Sequence, residues 1–469
     1  MIKTTIGRIA QMCGGQLSGT AESACHGVVI DSRQVYENSL FVPIIGERAD
    51  GHNFVADVLS RGAAASLWQR DRGAAPEGNI IIVDDTLAAL QRLASAYLEQ
   101  SEATVIGVTG SNGKTTTKDM VDALLRQAYR VHKTQGNFNS HIGLPLTILG
   151  MPEQTEMLIL EMGMRGRGEI ELLSNIARPH AAIITNIGES HLELLGTREQ
   201  IARAKMEIVS GLRPQGLLVY NGDEPLLHRL LAEPERHSQS MQTIAFGVEP
   251  SNDWQVTGVM SRGRSTIFTT NRYPDEAWTL PLPGLHNVTN ALAAMAIAVH
   301  YGVTIEQMRT GLSELKLSGM RIEQVEGADG VVLLNDAYNA SPSSMKAALD
   351  VLDGMKDYRR RIAVLGDMLE LGADERMYHE QMGAYAAEHT DLLFTYGERG
   401  RHIAAAARTQ MSPELVYEYT SKSALISALL DTVQQGDVVL FKASRGMRLE
   451  EVLQALMPDS ISNAEALEE

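Results

Sequence analysis

Residues 103–125 read ATVIGVTGSNGKTTTKDMVDALL. An apolar run stops at a glycine-rich turn, and a helix-forming stretch opens on Lys114 and Thr115. A buried strand, a glycine turn and a helix N-terminus in that order bring free backbone N–H groups to one point, which suits a phosphate. The spacing departs from the commonest phosphate loop. A Gly is due five residues before Gly113, yet position 108 is Val and the glycines fall at 107, 110 and 113. The context still favours a nucleotide loop, from Thr109 to Thr116. N–H groups around Gly110, Ser111, Asn112 and Gly113 are expected to face phosphate oxygens, Lys114 to bridge the β- and γ-phosphates, and Thr115 or Thr116 to reach Mg²⁺.

Working outward, apolar runs ending in Gly or a polar residue recur at 156–163 (EMLILEMG), 181–188 (AAIITNIG) and 216–223 (GLLVYNGD). They alternate with helical stretches such as 114–129, with Met120, Leu124 and Ala128 on one face, the pattern of a parallel sheet with crossover helices. Residues 242–282 read as more β-rich, and 284–302 as a long Ala-rich helix. A second doubly wound unit follows, with buried runs at 330–338, 360–368, 391–398 and 437–446. Upstream, 27–33, 39–46 and 79–85 read as short strands with a helix near 87–99. The expectation is a three-domain α/β protein. It has a small N-terminal α/β domain (1–100), a central P-loop ATPase-like parallel sheet (101–318) and a C-terminal Rossmann-like α/β domain (319–469). The tail SNAEALEE (462–469) is expected to fray.

Composition narrows the function. The chain has 469 residues, 41 basic against 58 acidic, and a net charge of −17. That balance speaks against nucleic acid and anionic membrane as partners, while an anionic small substrate would need local cations to offset the field. No apolar run reaches the roughly 20 residues of a bilayer span, and the N-terminus lacks a signal-peptide core. A cytoplasmic monomer is expected. Cys13 and Cys25 are the only cysteines, too few for a disulfide framework, and no CxxC pair suggests zinc.

Polar residues sit just past the apolar runs: Glu161, Asn186, Asp223, Asp336, Asp367, Ser444 and Arg445. Open α/β sheets bind ligands at that edge. Glu161 is placed to hold Mg²⁺ beside the loop. His191, in GESHLELLGT (188–197), is a metal or phosphate candidate, or a surface histidine. Helical phase over 198–212 puts Ile201, Ile208, Val209 and Leu212 on the apolar arc, with Glu199, Gln200, Arg203, Glu207 and Ser210 opposite. Lys205 falls inside the apolar arc. It either snorkels to the edge, or is paired, or is neutral and open to carbamate formation with CO₂. Asn287 and Asn290, three apart at a helix start, cap the helix or read an adenine edge. Asp336 could accept from ribose hydroxyls, Asn339 lies beside it, and Arg321 could swing onto a γ-phosphate. The motifs NKxD and LSGGQ are absent, which counts against a GTPase switch or a transporter ATPase.

Together these stretches resemble the Mur ligase family, the ATP-dependent amide-forming enzymes of peptidoglycan precursor synthesis. The shared stretches are GSNGKTT, DSRQVYENSLFVPIIGERADGH, TQGNFNSHIGLP, EMGMRGRGEI, DAYNASPSSM, GDMLELG and KASRGM. The resemblance implies an ATP- and Mg²⁺-dependent ligase that joins D-alanyl-D-alanine to UDP-N-acetylmuramoyl-tripeptide. A tripeptide-forming or folylpolyglutamate-type ligase is the alternative within the family, and a nucleotide-dependent switch the alternative outside it. The DNPR-like stretch of the diaminopimelate-adding relatives is missing. By resemblance, Lys114 and Thr115 serve phosphate and Mg²⁺, Glu161 and His191 the metal site, and Lys205 matches a lysine carbamylated in some members. Asn287 and Asn290 match the adenine side, and Arg321, Asp336 and Asn339 match residues that close over ATP. Ser32, Arg33, Asp50, Gly51 and His52 match the UDP-sugar region, Asn137 and Asn139 the muramoyl-peptide loop, and Ser444 and Arg445 the side of the incoming amine. Arg165 and Arg167 stand where many members carry other residues, and receive no role.

Overall fold

The computed structural model describes residues 1–458 except 48, 234–239 and 263. The expected tail at 462–469 lies outside the described residues. Among the described residues, three larger sheets and one two-stranded pair carry the chain. The N-terminal one runs Gln16–Ser18, Ile80–Val83, Ala65–Gln69, Leu40–Phe41, Val28–Val29, parallel apart from the antiparallel first strand. A small pair, Lys3–Thr5 with Ala24–His26, sits beside it. The helix Ile6–Cys13 is capped by the Thr5 hydroxyl and stopped by Gly14 in the left-handed region at φ 70°.

The central sheet has nine strands. Their order is Ala277–Leu280, Ser265–Thr270, Trp254–Arg262, Gln242–Gly247, Leu217–Asn221, Ala181–Ile184, Thr104–Thr109, Met157–Glu161, Val131–Lys133. Pairing is parallel from Val131–Lys133 as far as Trp254–Arg262, then antiparallel. The chain leaves Thr104–Thr109 for the far edge and returns on both sides of it. The glycine loop therefore sits at the switch in strand order, where loops diverge and leave a crevice. The C-terminal sheet runs Glu323–Glu326, Val332–Asn335, Val438–Lys442, Arg361–Gly366, Leu392–Tyr396, Val416–Tyr419, parallel except for the first pair. It has an apolar cluster on each face.

One apolar cluster joins the N-terminal residues to one face of the central sheet. Ile2, Ile6, Leu90 and Leu93 pack in the same cluster as Leu144, Ile148, Leu158 and Leu160. The Ile2 N–H donates to the Leu149 carbonyl at 2.7 Å, so the first residues of the chain are tied to the central unit. The opposite face is covered by the helices Lys114–Leu125 and Leu285–His300.

The helix after the glycine loop departs from expectation. It ends at Leu125, and Ala128 is exposed beyond it rather than on a buried face. Its Lys118 and Asp119 are fully enclosed. Such a helix cannot leave charges unpaired. The Asp119 carboxylate lies 3.4 Å from Lys118 Nζ and 2.8 Å from Lys133 Nζ, and Lys133 also reaches Asp122 at 2.8 Å. Lys118 donates to the Thr134 carbonyl, and Ser318, in the connection to the C-terminal unit, donates its N–H to Asp119. Burial opposes the Asp119 charge, but Lys118 and then Lys133 outweigh it and hold the carboxyl below its usual range. A carboxyl depressed in this way adds stability above its unfolded pKa of about 3.9 and loses it as pH falls through the lower folded value. Asp119→Ala should lower the stability of the central unit by about 3 kcal/mol at neutral pH, read from its urea midpoint, and the gap should narrow below about pH 4. An unchanged midpoint would mean that the two lysines need no counter-charge.

Candidate functional site

The glycine loop is interlocked with the loop after the neighbouring strand Ala181–Ile184. The Thr185 hydroxyl donates to the Asn112 carbonyl at 2.5 Å, Ser111 N–H bonds the Asn186 carbonyl, and Asn112 N–H bonds Asn186 Oδ1. Gly188 N–H returns to Ser111 Oγ at 2.8 Å. Gly110 has φ 152°, and a Cβ there would stand 1.8 Å from Thr185 Oγ1, so no other residue fits. The expectation that Ser111 and Asn112 aim their N–H groups at phosphate is corrected: both are spent on Asn186. The free donors are the first-turn N–H groups of the helix that opens at Lys114, which an α-helix cannot satisfy internally. Thr109 is likewise structural here, its hydroxyl donating to Met162 O at 2.9 Å, and Thr116 is buried in the first turn.

Lys114 folds back over the loop, with Nζ 2.8 Å from the Gly110 carbonyl and 3.2 Å from that of Ser111. Loss of hydration lowers its pKa, Glu161 partly restores it, and Arg321 lowers it further. Helix Leu285–His300 presses Asn290 onto the loop: a Cβ on Gly113 would meet Asn290 Oδ1 at 2.8 Å. Asn287 donates its amide to the Pro283 carbonyl at 2.7 Å, and both asparagines are buried. In this arrangement the pair braces the loop and its own helix start.

Glu161 closes the strand Met157–Glu161 and is 3% exposed. One carboxylate oxygen accepts from Thr115 Oγ1 at 2.7 Å and the other from Asn139 Nδ2 at 2.8 Å. Asn139, expected at the peptide loop, is thus bound to the carboxylate beside the phosphate loop, while Asn137 is exposed two residues away. Among the described residues no lysine or arginine is within ion-pair distance of Glu161. A buried carboxylate and a hydroxyl, both hard oxygen donors, suit Mg²⁺. No three of His, Cys, Asp and Glu converge on a metal position among the described residues.

His191 sits in the left-handed region at φ 66° and places Nδ1 2.7 Å from Glu370 Oε2 of the C-terminal unit. Burial first, then Lys205 and Lys114, lower its pKa. Lys205 is 2% exposed, and its side-chain amine makes no hydrogen bond or ion pair with a described residue. Burial and then repulsion from Lys114 push its pKa well below the usual value. Snorkelling to the surface is thereby excluded. The helical phase that located Lys205 failed two residues later. The α-helix ends at Met206, a 3-10 turn covers Glu207–Val209, and the tighter pitch turns Glu207 inward. There it accepts from Gly168 N–H at 2.9 Å and from Glu171 N–H, satisfying the start of helix Glu169–Ala177. The expected solvent-facing Glu207 is a buried cap.

The C-terminal unit supplies the other wall. Asn112 Nδ2 lies 3.2 Å from Ser341 Oγ and 3.0 Å from Ser343 Oγ, at the start of helix Pro342–Asp353. Arg321 stacks over Tyr338 at 4.1 Å. Asp336 pairs with Lys442, which also donates to the Asn339 carbonyl. Ser444 is buried, accepting from Leu369 N–H and contacting the Ala340 carbonyl, whereas Arg445 pairs with Glu450. Two other strand-end carboxylates serve structure: Asp223 accepts from Val248 and Glu249 N–H, and Asp367 from Arg399 and Gly400 N–H.

The N-terminal candidates form their own turns. Asp50 caps the 3-10 turn Gly51–Phe54, holds His52 at 2.7 Å and Arg72 at 2.9 Å, and Gly51 approaches the Ile44 backbone too closely for a side chain. Arg33 clasps Asp31, and the Ser32 carbonyl accepts from Arg61. Ser341, Ser343, Lys442 and Glu370 were missed from sequence. The Ser-Pro-Ser-Ser run carried a helix-start signal that marked the first two, whereas Lys442 and Glu370 lie in the shared stretches KASRGM and GDMLELG, which implied no role for either.

Comparison with known proteins accords with this geometry. Residues 24–98 match the Mur ligase family catalytic domain, 108–298 the Mur ligase middle domain, and 320–445 the Mur ligase glutamate ligase domain. The chain is 48% identical over 466 residues, 98% of its length and 100% of the relative's, to the UDP-N-acetylmuramoyl-tripeptide–D-alanyl-D-alanine ligase of Bacillus subtilis. A crystal structure of MurF from Acinetobacter baumannii superposes with a TM-score of 0.88 at 30% identity, covering 97% of this chain and 99% of that one. The MurF ligase of Thermotoga maritima in complex with ADP superposes with a TM-score of 0.82 at 31% identity, covering 94% and 98%. With a phosphate loop, a buried carboxylate beside it and a third domain across the cleft, all matched along their length, the chain belongs to the Mur ligase family.

Proposed function

We propose that this chain is the ATP-dependent ligase that adds D-alanyl-D-alanine to UDP-N-acetylmuramoyl-tripeptide, acting as a cytoplasmic monomer. The observation that carries this reading is the 48% identity, along essentially both whole chains, to a ligase named for that reaction. Among the described residues no helix is long and apolar enough to cross a membrane. We divide the labour among 1–100 for the UDP-sugar, 101–318 for ATP and 319–469 for the incoming amine. In the N-terminal part, Ser32, Arg33, Asp50, Gly51 and His52 lie in two turns that we assign to the sugar nucleotide.

The terminal carboxylate of the tripeptide attacks the γ-phosphorus of ATP, and the bond to the ADP oxygen breaks. The acyl phosphate then accepts the amine of D-alanyl-D-alanine at its carbonyl carbon. The ammonium proton is lost, and phosphate leaves from the tetrahedral adduct. Lys114, whose Nζ donates to the Gly110 and Ser111 carbonyls, stands at the helix start that would take the phosphates, and its charge offsets the repulsion between carboxylate and triphosphate. Mg²⁺, when bound, neutralises triphosphate charge and polarises the transferred group, and Thr115, Glu161, His191 and a carbamylated Lys205 are the residues that would hold it. Asn287, Asn290, Asp336 and Asn339 border the nucleoside, and Arg321 reaches the phosphates. Asn139 keeps Glu161 oriented, and Ser444 and Arg445 border the amine. Contacts from Ser341 and Ser343 to Asn112 close the cleft, which keeps water from the acyl phosphate.

Two outcomes test this reading. With ATP and a panel of UDP-muramoyl-peptides and amines, pentapeptide product should form with D-alanyl-D-alanine, and Lys114→Ala should lower kcat by about 10²–10³-fold. Phosphate release independent of both co-substrates would sink the ligase reading, and a preference for glutamate or diaminopimelate would move the chain to another branch of the family. Lys205→Ala should abolish turnover, and added short carboxylates should restore part of it by standing in for the carbamate. A fully active alanine variant would remove Lys205 from the metal site.

A further inference from the structure

Glu370 belongs to the loop that follows the C-terminal strand Arg361–Gly366, yet its carboxylate is engaged by the central unit. Oε2 lies 2.7 Å from His191 Nδ1, and Oε1 lies 3.4 Å from Arg165 Nη2. The two backbones are also joined. Glu193 N–H donates to the Glu370 carbonyl at 3.1 Å, and a Cβ on Gly372 would stand 3.2 Å from Glu193 Cα. Both residues of the pair are non-glycine and left-handed, His191 at φ 66° and Glu370 at φ 63°. Such backbones persist where the surroundings over-determine them, and they concentrate at functional contacts.

We propose that Glu370 is a positioning residue for His191: docking of the C-terminal unit delivers a carboxylate that fixes the imidazole with its hydrogen on Nδ1 and its Nε2 lone pair turned to the phosphate pocket. An ionised carboxylate only accepts hydrogen bonds, so Nδ1 carries the hydrogen in this pair. A neutral imidazole then has Nε2 as its one lone pair, the form that ligates a metal or accepts from a phosphate-side donor. No described residue hydrogen-bonds Nε2. The charges of Lys205 and Lys114 both act on the ring, and Glu370 of the C-terminal unit holds its Nδ1 side. Arg165 receives a role by the same geometry: it holds the second carboxylate oxygen and aims the first at the ring. The two halves of the carboxylate–histidine pair come from different units, so the histidine is set for its work only in the docked arrangement. The inference rests on the reading of His191 as a metal-site residue.

The experiment uses the full chain labelled with ¹⁵N in histidine, with the His191 signals identified by their loss in His191→Asn. Two-bond ¹H–¹⁵N correlations should show His191 hydrogenated on Nδ1. In Glu370→Ala the signal should move to the Nε2–H form that free imidazole prefers. Glu370→Gln, which keeps an acceptor oxygen, should retain the Nδ1–H form. Manganese affinity in the presence of ADP, read by electron paramagnetic resonance, should fall about tenfold in Glu370→Ala and recover in Glu370→Gln. Glu370 is part-exposed, so both variants should fold. An unchanged tautomer in Glu370→Ala would overturn the inference. Unchanged manganese affinity in His191→Asn would instead overturn the metal-site reading while leaving the tautomer result standing.

Discussion

The interlock between residues 110–113 and 185–188 is the constraint from which the site follows. Parallel neighbouring strands end at the same level, and their loops must share one small volume. Gly110 permits it because a methyl group in its place would overlap the Thr185 hydroxyl. Once Thr185 and Asn186 take up the polar groups of Ser111 and Asn112, the chain has one way to enter its next helix. That entry sets the first-turn N–H groups, brings Thr115 to Glu161, and leaves at Gly113 a bare backbone for Asn290 to lie against. The start of this helix is thus held by hydrogen bonds between two neighbouring loops.

The second wall is of a different kind. The C-terminal unit reaches the loop through short polar contacts, Ser341 and Ser343 on Asn112 and Glu370 on His191 and Arg165, with few apolar groups among them. Contacts of this sort are worth about 1 kcal/mol each against water. Polar contacts of that strength resist opening little. The buried Asp119 ties the units together at another point. Its bond to Ser318 N–H fixes the connection between the units to the same helix that begins at the phosphate loop.

Much of this was legible in the chain itself. The strand, turn and helix at 103–125, the two doubly wound units and the carboxylate at Glu161 all follow from apolar runs and the residues that end them. Lys205 was legible because helical phase places it among isoleucines, and its burial bears that out. The failures have a common physical origin. Glu207 turns inward because helix Glu169–Ala177, far away in sequence, needs acceptors at its start. The N–H groups of Ser111 and Asn112 look free until the neighbouring strand's loop is present to claim them. Glu370 carries no periodicity and no cap pattern, and its importance lies wholly in what faces it across a domain boundary. Each missed residue is one whose partner is set by tertiary packing.

The apolar cluster shared by the first hundred residues and the central sheet bears on how the protein is born. Ile2, Ile6, Leu90 and Leu93 share one apolar cluster with Leu144, Ile148 and Leu158, and the second residue hydrogen-bonds to Leu149. On the ribosome the amino-terminal segment must therefore wait, its greasy side uncovered, until the stretch around 150 has emerged from the exit tunnel. The order of synthesis and the order of assembly differ here, and the nascent chain is a natural client for a chaperone that shields apolar surface.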